Sequence, residues 1–423
     1  MPPRRAGTGS PGLALASRSF LFLQGPQSRF FERVARALVA CGHRAHRLNL
    51  NLGDRLFWHM PATDFRGRPS DWPNFIARLI EDHSVTDLIL LGDQRPYHIV
   101  AAETARARAI TVWALDLGYV RPGWLTLEQD GVAGASHFPR DAHSIRALAK
   151  DFPEPDFAPV AMTPFWQLAA RDVAYHVAAT LGRPLYPHYR RHGLYHPFAE
   201  YAAWIGNAPR RLVARRATAA AKSRLAAERG GYFLYPLQLA TDFAMRAHSP
   251  FSDARGALDT VLRSFADSGS GRRLVVVAHP LDEGLIDWRR LIAGHGRVVF
   301  LEGGVTEALV ANAAGVVTVN STTGLTALRL GVPVKPLGSA IYDVPGLTDQ
   351  GDLAGFWQRP NPPDREFIEV FVRALIGATQ IKGGYYAGAA QCQALPAFVE
   401  RLENGPYPMT RRSTYAAAAN DGG

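Results

Sequence analysis

Short apolar runs recur along the chain, each stopping at a polar or glycine-rich turn and each followed by a stretch able to form a helix. This is the pattern of parallel α/β domains. In the first half the runs are residues 20–23, 45–50, 87–91 and 110–115. They end in Gln24-Gly25-Pro26, Asn51-Leu52-Gly53, Gly92-Asp93-Gln94 and Asp116-Leu117-Gly118. The second half repeats the scheme at 232–237, 274–278, 298–301, 316–319 and 332–337. Two parallel sheets are expected. Ligands of such sheets bind beyond the carboxyl ends of the strands, so the residues just after each run carry the candidate chemistry. Between the halves, residues 153–230 lack clear strand runs and are expected to be helical and connecting.

A length of 423 residues supports two cores. Hydrophobic content of 47% with 20% charged residues excludes wholesale disorder. The balance of 47 Lys and Arg against 37 Asp and Glu, a net +10, favours an anionic partner. Part of that surplus lies in the connecting segment, where Arg210, Arg211, Arg215, Arg216, Lys222, Arg224 and Arg229 face the lone acid Glu228. A solvated helix face and contact with anionic lipid or substrate are both open readings of it. The basic residues lack the interleaved aromatics of a base-stacking platform, which argues against nucleic acid. Cys41 and Cys392 form no CxxC pair, and no disulfide framework or structural zinc site is expected. No apolar run approaches membrane-spanning length, and no convincing signal peptide is present.

At the strand ends of the second half, His279-Pro280 follows one run directly, so its imidazole should sit at the rim of the sheet. Asn320-Ser321-Thr322-Thr323-Gly324 ends another run and opens a helix. Hydroxyls and unpaired backbone N–H groups at a helix start make a phosphate site. Simple capping or a turn explains either feature singly; both on one sheet edge favour a nucleotide phosphate. Gln238 and Asp242 follow the first run of this half, and a carboxylate at Asp242 could act as nucleophile or base, or cap a helix. In the first half, Arg95 and Arg121 are candidates for a sugar carboxylate, which a guanidinium fork binds in bidentate fashion. Gln24 joins them as a sugar or acceptor contact. Asp116 is a candidate proton donor or acceptor, provided burial raises its pKa.

Three patterns are set aside. Gly7-Thr8-Gly9-Ser10-Pro11-Gly12 matches GxGxxG but precedes the first strand instead of following one. His188, His192 and His196 share helical spacing, but Gly193 and Pro197 weaken that helix and no carboxylate completes a metal set. Trp113, Trp124 and Trp288 read as packing.

The order and wording of these motifs resemble the KpsS-type capsule polysaccharide biosynthesis proteins over about residues 19–400. The marks are Phe22-Leu23-Gln24-Gly25-Pro26, Gly53-Asp54-Arg55, Gly92-Asp93-Gln94-Arg95-Pro96-Tyr97-His98, Gly118-Tyr119-Val120-Arg121-Pro122, Gln238 with Asp242, His279-Pro280-Leu281-Asp282, the 320–324 motif and Ile341-Tyr342-Asp343-Val344-Pro345-Gly346-Leu347. The resemblance implies an α/β fold of GT-B type, with two Rossmann-like domains facing a central cleft. It also implies a retaining β-Kdo transferase that moves Kdo from CMP-β-Kdo to a (lyso)phosphatidylglycerol-type lipid terminus, working peripherally at the inner face of the cytoplasmic membrane. By position, Asp242 would be the nucleophile, and Gln238, His279, Pro280, Asn320, Ser321, Thr322 and Thr323 would hold the donor. Asp116 stands where the family usually has Glu, one methylene longer.

The expected organisation is then a disordered 1–17, an acceptor-side domain at 18–152, the helical connection at 153–230, a nucleotide-sugar-binding domain at 231–400, and a C-terminal helix or disordered tail at 401–423. Nucleotide-sugar donor and lipid acceptor are the expected partners, with other capsule assembly proteins possible. No cofactor is expected, and with no Asp-x-Asp motif present, metal independence is a hypothesis. Three other readings remain open: a transferase for another CMP-linked acidic sugar, a sugar-nucleotide epimerase of the same fold, and a non-enzymatic assembly or export adaptor.

Overall fold

The computed structural model describes residues 17–193, 195–239, 243–282 and 284–405. The GxGxxG-like segment, Asp242 and the tail beyond residue 405 lie outside them. Six strands form in the first half: β1 (Ser19–Phe22), β2 (Arg44–Asn49), β3 (Thr63–Asp64), β4 (Asp87–Leu91), β5 (Thr111–Leu117) and β6 (Trp124–Gln129). The second half holds β7 (Tyr232–Pro236), β8 (Arg273–Val277), β9 (Val298–Leu301), β10 (Gly315–Thr318), β11 (Val334–Pro336) and β12 (Gln380–Lys382). They assemble into a seven-stranded sheet ordered β12-β6-β5-β4-β1-β2-β3 and a five-stranded sheet ordered β11-β10-β7-β8-β9.

The second sheet is wholly parallel, as its apolar runs predict. The first departs from that expectation at one edge, where β6 runs antiparallel to β5 and β12 antiparallel to β6. Only residues 118–123 join β5 to β6, too few for the crossover that a parallel pair requires. Thr126 and Glu128 also break the apolar run of β6, although both are buried. Thr126 satisfies its hydroxyl on the Leu117 carbonyl at 3.2 Å and accepts from Gln380 at 3.0 Å.

Side chains on the central strands alternate between two apolar layers, as the two-residue period of a strand dictates. Phe20 and Phe22 enter one cluster and Leu21 and Leu23 the other; Leu234 and Val275 part from Phe233 and Val276 in the same way. One cluster crosses the molecule, joining Val120 and Phe138 of the first half to Tyr342 and Phe371 of the second. Trp113 is fully buried, and its indole N–H donates to Asp87 at 2.9 Å; Trp288 is buried as well.

The connecting segment forms two helices, Phe165–Leu181 and Pro197–Ala227, the second containing Pro209. After the second sheet, the Arg365–Thr379 helix leads into β12, and the Gly388–Asn404 helix packs on the first sheet, with Phe398 edge-on to Phe30 at 5.2 Å. The chain therefore crosses between the halves twice.

Candidate functional site

Both sheets reverse their strand order at one point, and connections leave in opposite directions there, opening a crevice beyond the strand ends. In the second sheet that point lies between β7 and β10. Gln238 and Asn320, just past those two strands, close it with a reciprocal pair of bonds. The Gln238 amide donates to Asn320 Oδ1 at 2.8 Å, and the Asn320 backbone N–H donates to Gln238 Oε1 at 3.1 Å.

Ser321 caps the Thr322–Arg329 helix by accepting from the Thr323 N–H at 3.2 Å, and its carbonyl accepts from the Tyr342 hydroxyl at 2.6 Å. Gly324 is required by that contact, because a Cβ there would lie 2.2 Å from the Tyr342 oxygen. Helix start, hydroxyls and backbone N–H groups thus converge at the crevice, a geometry suited to phosphate.

One strand away, His279 follows β8. Its Nδ1 accepts from the Leu281 N–H at 3.1 Å, which places the ring proton on Nε2 and makes that atom a donor. Asp282 locks the turn by accepting from the Gly284 N–H at 2.8 Å and from the Trp288 indole at 2.6 Å. Beside this turn a cavity of about 1300 Å3 separates the ends of β8 and β9 from the Pro197–Ala227 helix, with His279, Pro280, Trp204, Arg215 and Lys222 in its wall.

In the first sheet the reversal lies between β1 and β4, the strands that precede Gln24 and Arg95. Gln24 is buried, and its amide N–H group reaches both Asp54 carboxylate oxygens at 3.2 Å and the Tyr175 hydroxyl at 3.0 Å, while its Oε1 has no hydrogen-bond partner among the described residues. Asp54 sits in the capping box of the Leu52–Leu56 helix and accepts from the Leu50 and Asn51 N–H groups at 2.8 and 3.3 Å. The neighbouring Gly53 lets that helix approach closely, since a Cβ would lie 2.7 Å from Tyr175.

His98, fully buried behind Arg95, holds the Gly92 carbonyl at 2.7 Å through Nδ1. Burial and the Arg95 charge push its pKa down to about 3, so the ring is neutral. Burial and the same charge also push His192 down. His188, His192 and His196 lie in the connection between the two helices, His196 at the N-cap position of the second with no side-chain capping bond, and among the described residues no group of three His, Cys, Asp or Glu could hold a metal.

Asp116 lies within β5, opposite Thr126, instead of in the turn after it. Its carboxylate accepts from the Leu117 N–H at 2.6 Å. Arg121 donates to the Gly118 carbonyl at 3.1 Å. Asp116, Arg121 and Arg95 converge electrostatically on Tyr385, and Arg95 and Asp116 also act on Tyr386. Burial raises both phenols, Tyr386 to about 12. Those tyrosines complete the first crevice with Asp54 and His98, and lie more than 250 residues from Arg95 and Asp116 in sequence.

The two halves meet where Tyr119 and Ala133 of the first and Asn320, Thr322 and Tyr342 of the second line a cavity of about 20 Å3. Arg140 ties the same seam by donating to the Ala340 carbonyl and, at 3.1 Å, to that of Ala133.

The family described as capsule polysaccharide biosynthesis protein matches residues 86–386. This chain belongs to that family. Two relatives agree with the match. The capsule polysaccharide modification protein LipB of Neisseria meningitidis serogroup A is 34% identical over 398 residues, covering 88% of this chain and 92% of LipB. The capsule polysaccharide export protein KpsS of Escherichia coli is 31% identical over 382 residues, covering 88% of this chain and 98% of KpsS. Among solved structures, the Thermosulfurimonas dismutans KpsC beta Kdo 2,7 transferase aligns with 92% of this chain and 99% of its own at 14% identity and a TM-score of 0.46.

As a capsule biosynthesis protein the chain carries part of its basic surplus beside the second crevice. Lys222 donates to the Gly303 and Gly304 carbonyls at 3.1 and 2.7 Å, and Arg210 and Arg289 share Glu302 at 3.3 and 3.0 Å. Burial of Lys222 lowers its pKa. No helix among the described residues is long and apolar enough to cross a membrane.

Proposed function

We propose that this capsule biosynthesis protein is a retaining β-Kdo transferase that moves Kdo from CMP-β-Kdo to a phosphatidylglycerol-type lipid terminus of the capsule linker. The observation that carries the reading is a pair of switch-point crevices of complementary chemistry, one in each sheet, in halves that pack against each other. One offers hydroxyls, a helix start and a histidine donor for phosphate; the other offers arginines and buried hydrogen-bonding groups.

In this reading the Ser321–Thr323 segment and His279 Nε2 hold the CMP phosphate and stabilise its departure, with Pro280, Asn320 and Gln238 shaping the pocket. Asp242 attacks the anomeric carbon as CMP leaves, and the acceptor hydroxyl then displaces Asp242 from the opposite face; two inversions retain the β configuration. Asp116 takes the proton of that hydroxyl. Arg95, Arg121 and Gln24 engage the Kdo carboxylate or the acceptor. The cationic groups supply the charge that a metal would otherwise bring, so turnover proceeds without one.

The test is an assay with CMP-Kdo generated in situ and a fluorescent phosphatidylglycerol-like acceptor. Product from the native protein, at a level unchanged by EDTA, and none from Asp242→Ala is the expected result. Equal product from both proteins removes Asp242 as nucleophile, EDTA-sensitive product removes metal independence, and product only with another CMP-linked sugar reassigns the donor.

A further inference from the structure

The Phe165–Leu181 helix has no buried side chain among its 17 residues. Trp166, Ala170, Val173, Val177 and Leu181 are spaced four, three, four and four residues apart, so about 3.6 residues per turn stack them in one stripe about 22 Å long. All five are exposed, Trp166 at 68% and Leu181 at 73%, and the stripe contains no charged residue. Tyr175, against Gly53, turns the helix so that the stripe points away from the first domain.

Its partner runs antiparallel beside it: Phe165 packs on Trp204 with ring centres 5.7 Å apart, and the Tyr201 hydroxyl donates to Asp172. With those contacts setting the rotation, helical periodicity places Phe198 and Ile205, seven residues apart, on the same outer side with Arg216. Ile205 is 66% exposed and Val213 83%. Contiguous apolar surface of this kind marks an interaction site.

Charge identifies what covers it. Between residues 165 and 227 stand ten Arg and Lys and only two acids, Asp172 and Glu200, which accounts for eight of the ten net positive charges of the chain. A second copy would bring like charge against like. A bilayer of anionic phospholipid takes up the apolar side chains at the level of its headgroups, attracts the net positive charge of the hairpin, and pairs with Arg216 on the outer side.

We propose that the outer face of this helical hairpin seats the protein in the plane of an anionic membrane. The proposal deepens the lipid-acceptor reading and rests on it for what the seating achieves, which is to bring the neighbouring crevice to a lipid terminus. Flotation of the full chain with phosphatidylglycerol-containing vesicles tests it with neither donor nor sugar acceptor present. Expected are binding weakened at least about tenfold in pure phosphatidylcholine or high salt, and a similar loss for Trp166→Ser combined with Leu181→Ser at an unchanged Tm.

Arg216→Glu should weaken binding in the same assay while leaving the apolar stripe in place. Equal flotation of the serine variant, equal binding to neutral vesicles, or a native dimer that the serine variant dissolves would each overturn the proposal, the last by naming a second copy as the occupant. Failure of the transferase reading has a separate signature: vesicle binding persists and no sugar moves.

Discussion

Glu128 shows how one buried residue couples the fold to pH. Burial pushes its carboxyl up to about 7, against hydrogen bonds from Ser136 and from the Tyr119 hydroxyl at 2.7 Å and the charges of Arg140 and His137. In the unfolded chain a glutamate titrates at about 4.3, so between there and 7 the folded state holds the proton that the unfolded state has lost. The stability from this group is complete below the unfolded pKa and is lost as pH rises through 7. Glu128→Gln, which keeps an acceptor for one of the two hydroxyls and turns an amide donor towards the other, should therefore remove a decline of Tm between acid and neutral pH, measured by thermal denaturation across that window. A variant with the native pH profile would assign the decline elsewhere. Tyr119 places this chemistry beside the seam, because it also accepts from the Ala133 N–H at 2.5 Å.

At the scale of elements, the Thr322–Arg329 helix carries two tasks at its first turn. Ser321 caps it and, in the proposed reaction, offers the same hydroxyl and neighbouring N–H groups to phosphate. Ser321→Ala should cost about 1 kcal/mol of stability through the lost cap. It should also raise the donor KM by more than it lowers kcat, because a ground-state contact with the nucleotide is removed. A lower Tm with unchanged KM would leave the residue as a cap alone. The motif at 320–324 was legible as a helix start because hydroxyls after an apolar run cap a helix, as Ser321 does. The partnership of Gln238 with Asn320 was not, since it depends on β7 and β10 being neighbours although two strands separate them in sequence. β6 escaped the apolar pattern for a related reason: Thr126 and Glu128 are buried among polar partners that the fold supplies.

Across the whole molecule, the proposed reaction depends on the two halves meeting. Arg140 joins the Ala133 and Ala340 carbonyls across the seam, and the apolar cluster joining Phe138 to Phe371 backs it. Arg140→Ala should leave both sheets folded while loosening their register. The expected readouts are faster limited proteolysis near the seam and a raised KM for both substrates, with far-ultraviolet circular dichroism unchanged. Native-like proteolysis and kinetics would show that the apolar cluster suffices.

The amino-acid sequence by itself determined the alternation of strands and helices, the strand ends that bear chemistry, the basic connecting segment and the family resemblance, because each is written in residues adjacent along the chain. Tertiary structure alone decided which strand ends are neighbours, that the first sheet closes with two antiparallel strands, and that Tyr385 and Tyr386 return to the crevice of Arg95 and Asp116. It also decided that the apolar stripe of the Phe165–Leu181 helix is left outward. Local pattern records what a segment can form. Long-range pairing and burial determine what it meets, and those contacts arise from the packing of the whole chain.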